Sequence, residues 1–177
     1  MFFLRSHIKN LRPVVGPVGR KFFYDPKVDS DIYMKGAWIL HSLRTYLKND
    51  TLFFDIFKSF ATKFKFSIAT SKDFINLVSE KSGDNMQWFF DQYLNNRFVP
   101  VLEIALTRKG LFYRWTHTNN DFRMPVKIKL GNDNEIEITP TVKTQFFSWA
   151  FPRVNINFRQ SLFLVKENSA LPFLYNK

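Results

Sequence analysis

The stretch Asp31-Ile32-Tyr33-Met34-Lys35-Gly36-Ala37-Trp38-Ile39-Leu40-His41-Ser42-Leu43-Arg44 decides how the rest of the chain is read. Ile32, Gly36, Ile39, Leu40, Leu43 and then Leu47 recur at intervals of three and four. That spacing makes one apolar stripe on a helix from about Asp31 to Lys48. Asp29 or Ser30 offers a side-chain oxygen to the free N–H groups of the first turn.

Three more helices follow downstream. Thr51–Phe64, capped by Asp50, turns Leu52, Phe53, Ile56, Phe57, Phe60 and Phe64 to one side and Asp55, Lys58, Ser59 and Lys63 to the other. A third starts at Thr70 or Ser71, where Thr70 and Asp73 have the spacing of a capping box, and stops at Gly83. A fourth, after Asp84, places Met86, Phe89, Phe90, Tyr93 and Leu94 at i, i+3, i+4, i+7 and i+8. Upstream, residues 1–12 carry a helical pattern, and Pro13, Gly16, Pro17, Gly19 and Pro26 mark a loop over 13–28.

Near Pro100 the period changes from 3.6 to 2. Leu102, Ile104 and Leu106 alternate with other residues, as do Leu111, Tyr113 and Trp115. Val126, Ile128 and Leu130 alternate with Lys127 and Lys129, and Ile136 and Ile138 alternate with Glu135 and Glu137. This is the pattern of antiparallel sheet with one buried face. A domain boundary is expected at about residues 96–100. A three-residue loop Gly131-Asn132-Asp133 sets Lys129 opposite Glu135 and Lys127 opposite Glu137, so that all four share the wet face.

Composition bounds the function. The 177 residues allow one or two small domains, and the 22 Phe are core material with no chemistry of their own. The net charge is +11. Residues 1–97 hold 15 Lys+Arg against 9 Asp+Glu and residues 98–177 hold 11 against 6, so the excess is spread evenly. No basic run exceeds two residues, which describes a solvated surface rather than a phosphate-tracking patch, and no nucleic-acid partner is expected. There is no cysteine, hence no disulfide and no thiolate metal site. No apolar stretch approaches the roughly 18–20 residues that span a bilayer. Arg5, His7 and Lys9 interrupt the apolar start, so it is not read as a signal peptide.

The usual catalytic patterns are missing. His7, His41 and His117 form no H-E-x-x-H and no i, i+4 pair, so no metal site is expected in this chain. There is no G-x-S-x-G elbow and no glycine-rich phosphate loop. Asp31, Glu80 and Asp91 read as cap or helix-surface residues, and His41 as a partly buried polar residue on a packed helix.

The run Tyr33-Met34-Lys35-Gly36-Ala37-Trp38-Ile39-Leu40 resembles the tyrosine-bearing helix of the zinc aminopeptidases of the membrane-alanyl-aminopeptidase family, the gluzincins that include leukotriene hydrolase-like enzymes. The resemblance continues in Thr70-Ser71-Lys72-Asp73-Phe74, Ser79-Glu80-Lys81-Ser82-Gly83, Trp88-Phe89-Phe90-Asp91-Gln92-Tyr93-Leu94 and Val99-Pro100-Val101-Leu102. It extends to Tyr113-Arg114-Trp115 and Met124-Pro125-Val126, and covers roughly Val14 to Leu164. It implies an α+β chain. Residues 1–97 would be the end of a helical, thermolysin-like catalytic domain, and residues 98–177 an antiparallel β-sandwich-like domain.

The resemblance also implies a role for Tyr33. In such enzymes zinc polarises the scissile carbonyl and activates water, and the tyrosine hydroxyl donates a hydrogen bond to the oxyanion. A phenol suits that task because it stays protonated at neutral pH. Gly36 would allow the close packing that fixes the Tyr33 ring, and Lys35 would be structural or solvent-facing. The zinc ligands, the general base and the group that recognises the substrate's N-terminus would precede this chain. The parent enzyme would hold zinc and hydrolyse N-terminal residues from peptides. The chain alone would hold no metal, would be inactive, and would have as partner the missing N-terminal part of the catalytic domain. A non-catalytic binding or scaffold module that reuses the fold is the alternative of a different class.

Overall fold

The first helix among the described residues, α1, runs Ser30–Leu47. The computed structural model describes residues 8–16, 30–107, 109–130, 134–148, 156–158 and 166–168. Asp29, one of the two expected caps, lies outside them, as do residues 17–28 of the expected loop. Residues 8–12 are irregular rather than helical.

Helix α2 spans Asp50–Lys63. Its cap is Asn49, not Asp50: the Asn49 side chain accepts from the Leu52 N–H, while Asp50 takes the first-turn position and pairs with Arg44. Phe53 and Ile56 are buried, as the apolar stripe requires. Helix α3, Ser71–Ser82, has both halves of the capping box: Thr70 Oγ1 accepts from the Asp73 N–H and the Asp73 carboxylate accepts from the Thr70 N–H. It ends at Gly83, whose φ of +71° is the left-handed conformation that favours glycine.

The closing helix departs from the expected pattern. Helix α4 is only Gln87–Phe90, and Asp91–Asn95 continues it as a π-helical turn. The wider turn buries Gln92 along with Tyr93, where a continued α-helix would have buried only the apolar positions.

Among the described residues seven strands follow: β1 Val101–Leu106, β2 Gly110–Thr116, β3 Val126–Leu130, β4 Asn134–Ile138, β5 Gln145–Ser148, β6 Ile156–Phe158 and β7 Lys166–Asn168. They make two small sheets, ordered β5-β2-β1-β7 and β4-β3-β6. The chain is α+β. The sheets are antiparallel except for β1 and β7, which pair in parallel, so the expectation of purely antiparallel sheet is corrected at that edge.

The β3–β4 register is as expected, Lys127 opposite Glu137 and Lys129 opposite Glu135, although residues 131–133 themselves lie outside the description. The ion pairs are not the opposed ones. Lys48, just past α1, takes Glu137 at 2.6 Å, and Lys127 reaches diagonally to Glu135 at 3.9 Å. Leu106, expected on the buried face with Leu102 and Ile104, is exposed.

One apolar core contains Trp38, Ile39 and Leu43 of α1, Trp88, Phe89 and Tyr93 of the closing helix, and Leu102, Trp115 and Phe122 from the strand region. Phe122 is the hinge of this core, stacking edge-on against Trp88, Trp115 and Tyr93 at 5.3–5.9 Å.

Candidate functional site

The buried face of α1 coincides only in part with the face that the apolar stripe marks. Asp31, Lys35, Trp38, Ile39, Ser42 and Leu43 are buried, while Ile32, Gly36 and Leu40 of the stripe are only half-buried. The helix is thus turned so that two ionisable side chains point inward. Lys35 is not solvent-facing: it is 0% exposed, and its Nζ donates to the backbone carbonyls of Asn96 and Arg97 at 3.0 and 2.9 Å. These carbonyls leave the end of the π-helical turn, where the backbone has no helical partner. Burial pushes the Lys35 ammonium down to about 8, against the pull of Asp31 one turn earlier.

Asp31 is likewise not a helix-surface residue. At 1% exposed, its carboxylate accepts from the Lys9 and Leu11 N–H groups at 2.6 and 3.2 Å and so ties the irregular segment 9–11 to α1.

Tyr33 stands between these two residues and points elsewhere. Two residues along a helix is a rotation of about 200°, and the Tyr33 ring is 75% exposed. It lies on the rim of an open groove of about 620 Å³. One wall is the α1 stripe, with Ile32, Gly36 and Leu40; the opposite wall is Phe60, Phe74 and Leu94. A Cβ at Gly36 would meet nothing within 4 Å, so Gly36 opens the groove in this chain and does not serve close helix packing.

Two polar clusters, the first buried and the second partly exposed, escape a reading of the sequence. Gln92 is 0% exposed; its Nε2 donates to the carbonyls of Phe98 and His117 at 3.2 and 3.1 Å, and its Oε1 accepts from the Asn119 N–H at 2.8 Å. The second is Tyr46, whose hydroxyl donates to Asp84 Oδ2 at 2.7 Å, while Arg123 holds the other oxygen at 2.8 Å. Burial, and then the bond to Asp84, push the Tyr46 phenol up to about 12. Neither cluster opens on the groove. Asp91 is a helix-surface residue as read, accepting from Gln87 and Asn95 side chains. His41 packs edge-on against Trp38 at 5.2 Å and His117 lies against Phe98 at 5.7 Å, on different parts of the fold.

Among the described residues no group of three or more His, Cys, Asp or Glu is placed to hold a metal ion. No helix among them is long and apolar enough to cross a membrane. What this site can do by itself is donate one hydrogen bond, from an exposed phenol on an anchored turn, into an apolar groove.

Comparison with known proteins agrees with the fold. The crystal structure of Legionella pneumophila aminopeptidase A in complex with aspartic acid superposes with a TM-score of 0.61 at 16% identity, over 77% of this chain and 17% of that one. The chain therefore spans about a sixth of the length of that enzyme. No curated protein sequence matches. Residues 7–93 match the model of the peptidase family M1 domain. The stretch that resembles that family is just under half of the chain.

Proposed function

We propose that this chain is the back portion of a zinc-dependent aminopeptidase. Residues 1–97 would be the end of its helical catalytic domain and 98–177 the sheet domain that follows. Tyr33 would donate its hydroxyl proton in a hydrogen bond to the carbonyl oxygen of the scissile peptide as that oxygen becomes negative. The observation that carries the reading is the orientation of α1. Part of its apolar stripe, Ile32, Gly36 and Leu40, lies open in a groove beside an exposed phenol, while an aspartate and a lysine of the same turns are buried. An apolar wall left open next to a hydrogen-bond donor fits a surface built to be covered, by substrate on one side and by further protein on the other.

The described residues do not fit a zinc site. The proposal therefore assigns the metal ligands, the general base and the recognition of the substrate's free amino group to polypeptide preceding the tyrosine helix. Tyr33 supplies transition-state stabilisation only, so this chain alone would not hydrolyse peptides. Lys35 and Gly36 support it without touching substrate chemistry: Lys35 anchors the turn and Gly36 keeps the groove open.

The test is to express the reading frame extended upstream and measure zinc-dependent release of aminoacyl-anilides, with and without Tyr33→Phe. The substitution is expected to lower kcat by about 10²–10³, with KM little changed. An extended frame lacking H-E-x-x-H would overturn the peptidase reading. Zinc-dependent cleavage by the purified 177-residue chain would overturn the division of labour.

A further inference from the structure

The proposed chemistry of Tyr33 makes no use of the charge on Lys35, yet a lysine occupies a position that an apolar side chain could fill without desolvating an ammonium. We propose that Lys35 is a positioning residue that fixes the rotation of α1, and hence the direction of the Tyr33 phenol, by clamping the helix to the chain's exit from the closing helix. The inference rests on the reading of Tyr33 as the donor.

The geometry gives the reasons. Tyr33 lies in the first turn of a helix, where N–H groups lack helical partners and the backbone frays. On the side opposite its ring, the same stretch carries two buried anchors. The Lys35 Nζ bridges two consecutive carbonyls, Asn96 and Arg97, more than sixty residues away in sequence. Asp31 accepts from two N–H groups of the segment 9–11. One anchor reaches forward to the start of the sheet region and the other back to the preceding segment. With both made, α1 cannot rotate about its axis without breaking these part-buried bonds. The carbonyls that Lys35 holds sit beside Phe98, whose own carbonyl is held by Gln92. The Tyr33 turn and the junction into β1 therefore share one hydrogen-bonded frame.

The experiment uses the full chain labelled with 3-fluorotyrosine, the Tyr33 resonance among the six tyrosines being assigned by Tyr33→Phe. Lys35→Met keeps the stem and removes the donor. It is expected to leave the near-ultraviolet tryptophan signal of a folded chain while the Tyr33 resonance shifts and broadens. Lys35→Cys creates the chain's sole cysteine. Aminoethylation of that thiol in the unfolded chain, followed by refolding, rebuilds a side chain of lysine length and charge and should restore the wild-type resonance. Carbamidomethylation should not. An unchanged Tyr33 resonance in folded Lys35→Met, or no restoration by aminoethylation, overturns the proposal.

If the variants do not fold, hydrogen exchange on the unmodified chain decides. The amides of residues 34–36 and of Phe98 should open together, with one denaturant dependence. Separate openings overturn the clamp. Because neither readout involves peptidase activity, failure of the clamp leaves the aminopeptidase reading standing, and failure of that reading leaves the Lys35 bonds in place but removes their purpose at the site.

Discussion

Lys35 also predicts how stability depends on pH. Its folded-state pKa, lowered by burial, is about 8 against 10.5 for a free lysine. Between these values the unfolded chain binds more protons than the folded one, so unfolding free energy rises with pH across the window. The group contributes nothing below pH 8, where both states are charged. By pH 10 the linkage amounts to about 2–3 kcal/mol, from about 1.36 kcal/mol per unit of pKa difference. The measurement is urea unfolding of the wild-type chain and Lys35→Met at pH 7, 8.5 and 10, read as the difference between the two. Groups that titrate in both proteins cancel in that difference, including Tyr46, whose raised pKa works in the opposite direction above pH 10. Wild type should gain on the variant by the stated amount. Parallel stabilities would show that the buried ammonium costs nothing. A loss with rising pH would show that Asp31 and the two carbonyls outweigh desolvation, and would reverse the energetic argument.

Further outcomes follow from other parts of the molecule. Tyr33→Phe should change the stability of this chain by less than about 0.5 kcal/mol, because the ring is largely exposed; a larger loss in thermal unfolding would mark Tyr33 as a packing residue. Gln92→Met keeps the volume but strips three hydrogen bonds to backbone, each worth about 0.5–1.5 kcal/mol. A loss of about 1.5–4.5 kcal/mol is expected in urea unfolding, and a loss under about 0.5 would show that water replaces the amide. Gly83→Ala should cost about 1–2 kcal/mol. Since a Cβ there meets nothing within 4 Å, that cost is backbone alone, and Gly83→Asn should recover part of it.

Much of the helical region was legible because its signals are local. Thr70 and Asp73 satisfy each other across three residues, Gly83 takes the conformation that only its lack of a side chain makes cheap, and the Lys/Glu alternation fixes the β3–β4 register. The misses are long-range or competitive. Asn49 and Asp50 are both good caps, and Asp50 is diverted to Arg44. Glu137 is claimed by Lys48 across 89 residues, a contact no strand pattern contains. Nothing in Asp91–Asn95 announces a π turn. The Tyr33 motif pointed to the candidate site, but not to its surroundings: of the apolar stripe Ile39 and Leu43 are buried while Ile32, Gly36 and Leu40 are not, and Lys35 turns inward to a distant pair of carbonyls.

Lys35, Asp31 and Gln92 solve one physical problem. Where the chain runs outside helix and sheet, neither an i→i−4 ladder nor a strand partner is available, yet partly buried backbone groups still need partners. Asp31 serves N–H groups at 9 and 11, Lys35 serves carbonyls at 96 and 97, and Gln92 serves carbonyls at 98 and 117 and the N–H at 119. The charge types follow from the polarity of the groups served: a carboxylate for donors, an ammonium for acceptors, and an amide where both meet. An exposed phenol on α1 then inherits its fixed direction from partners it never touches.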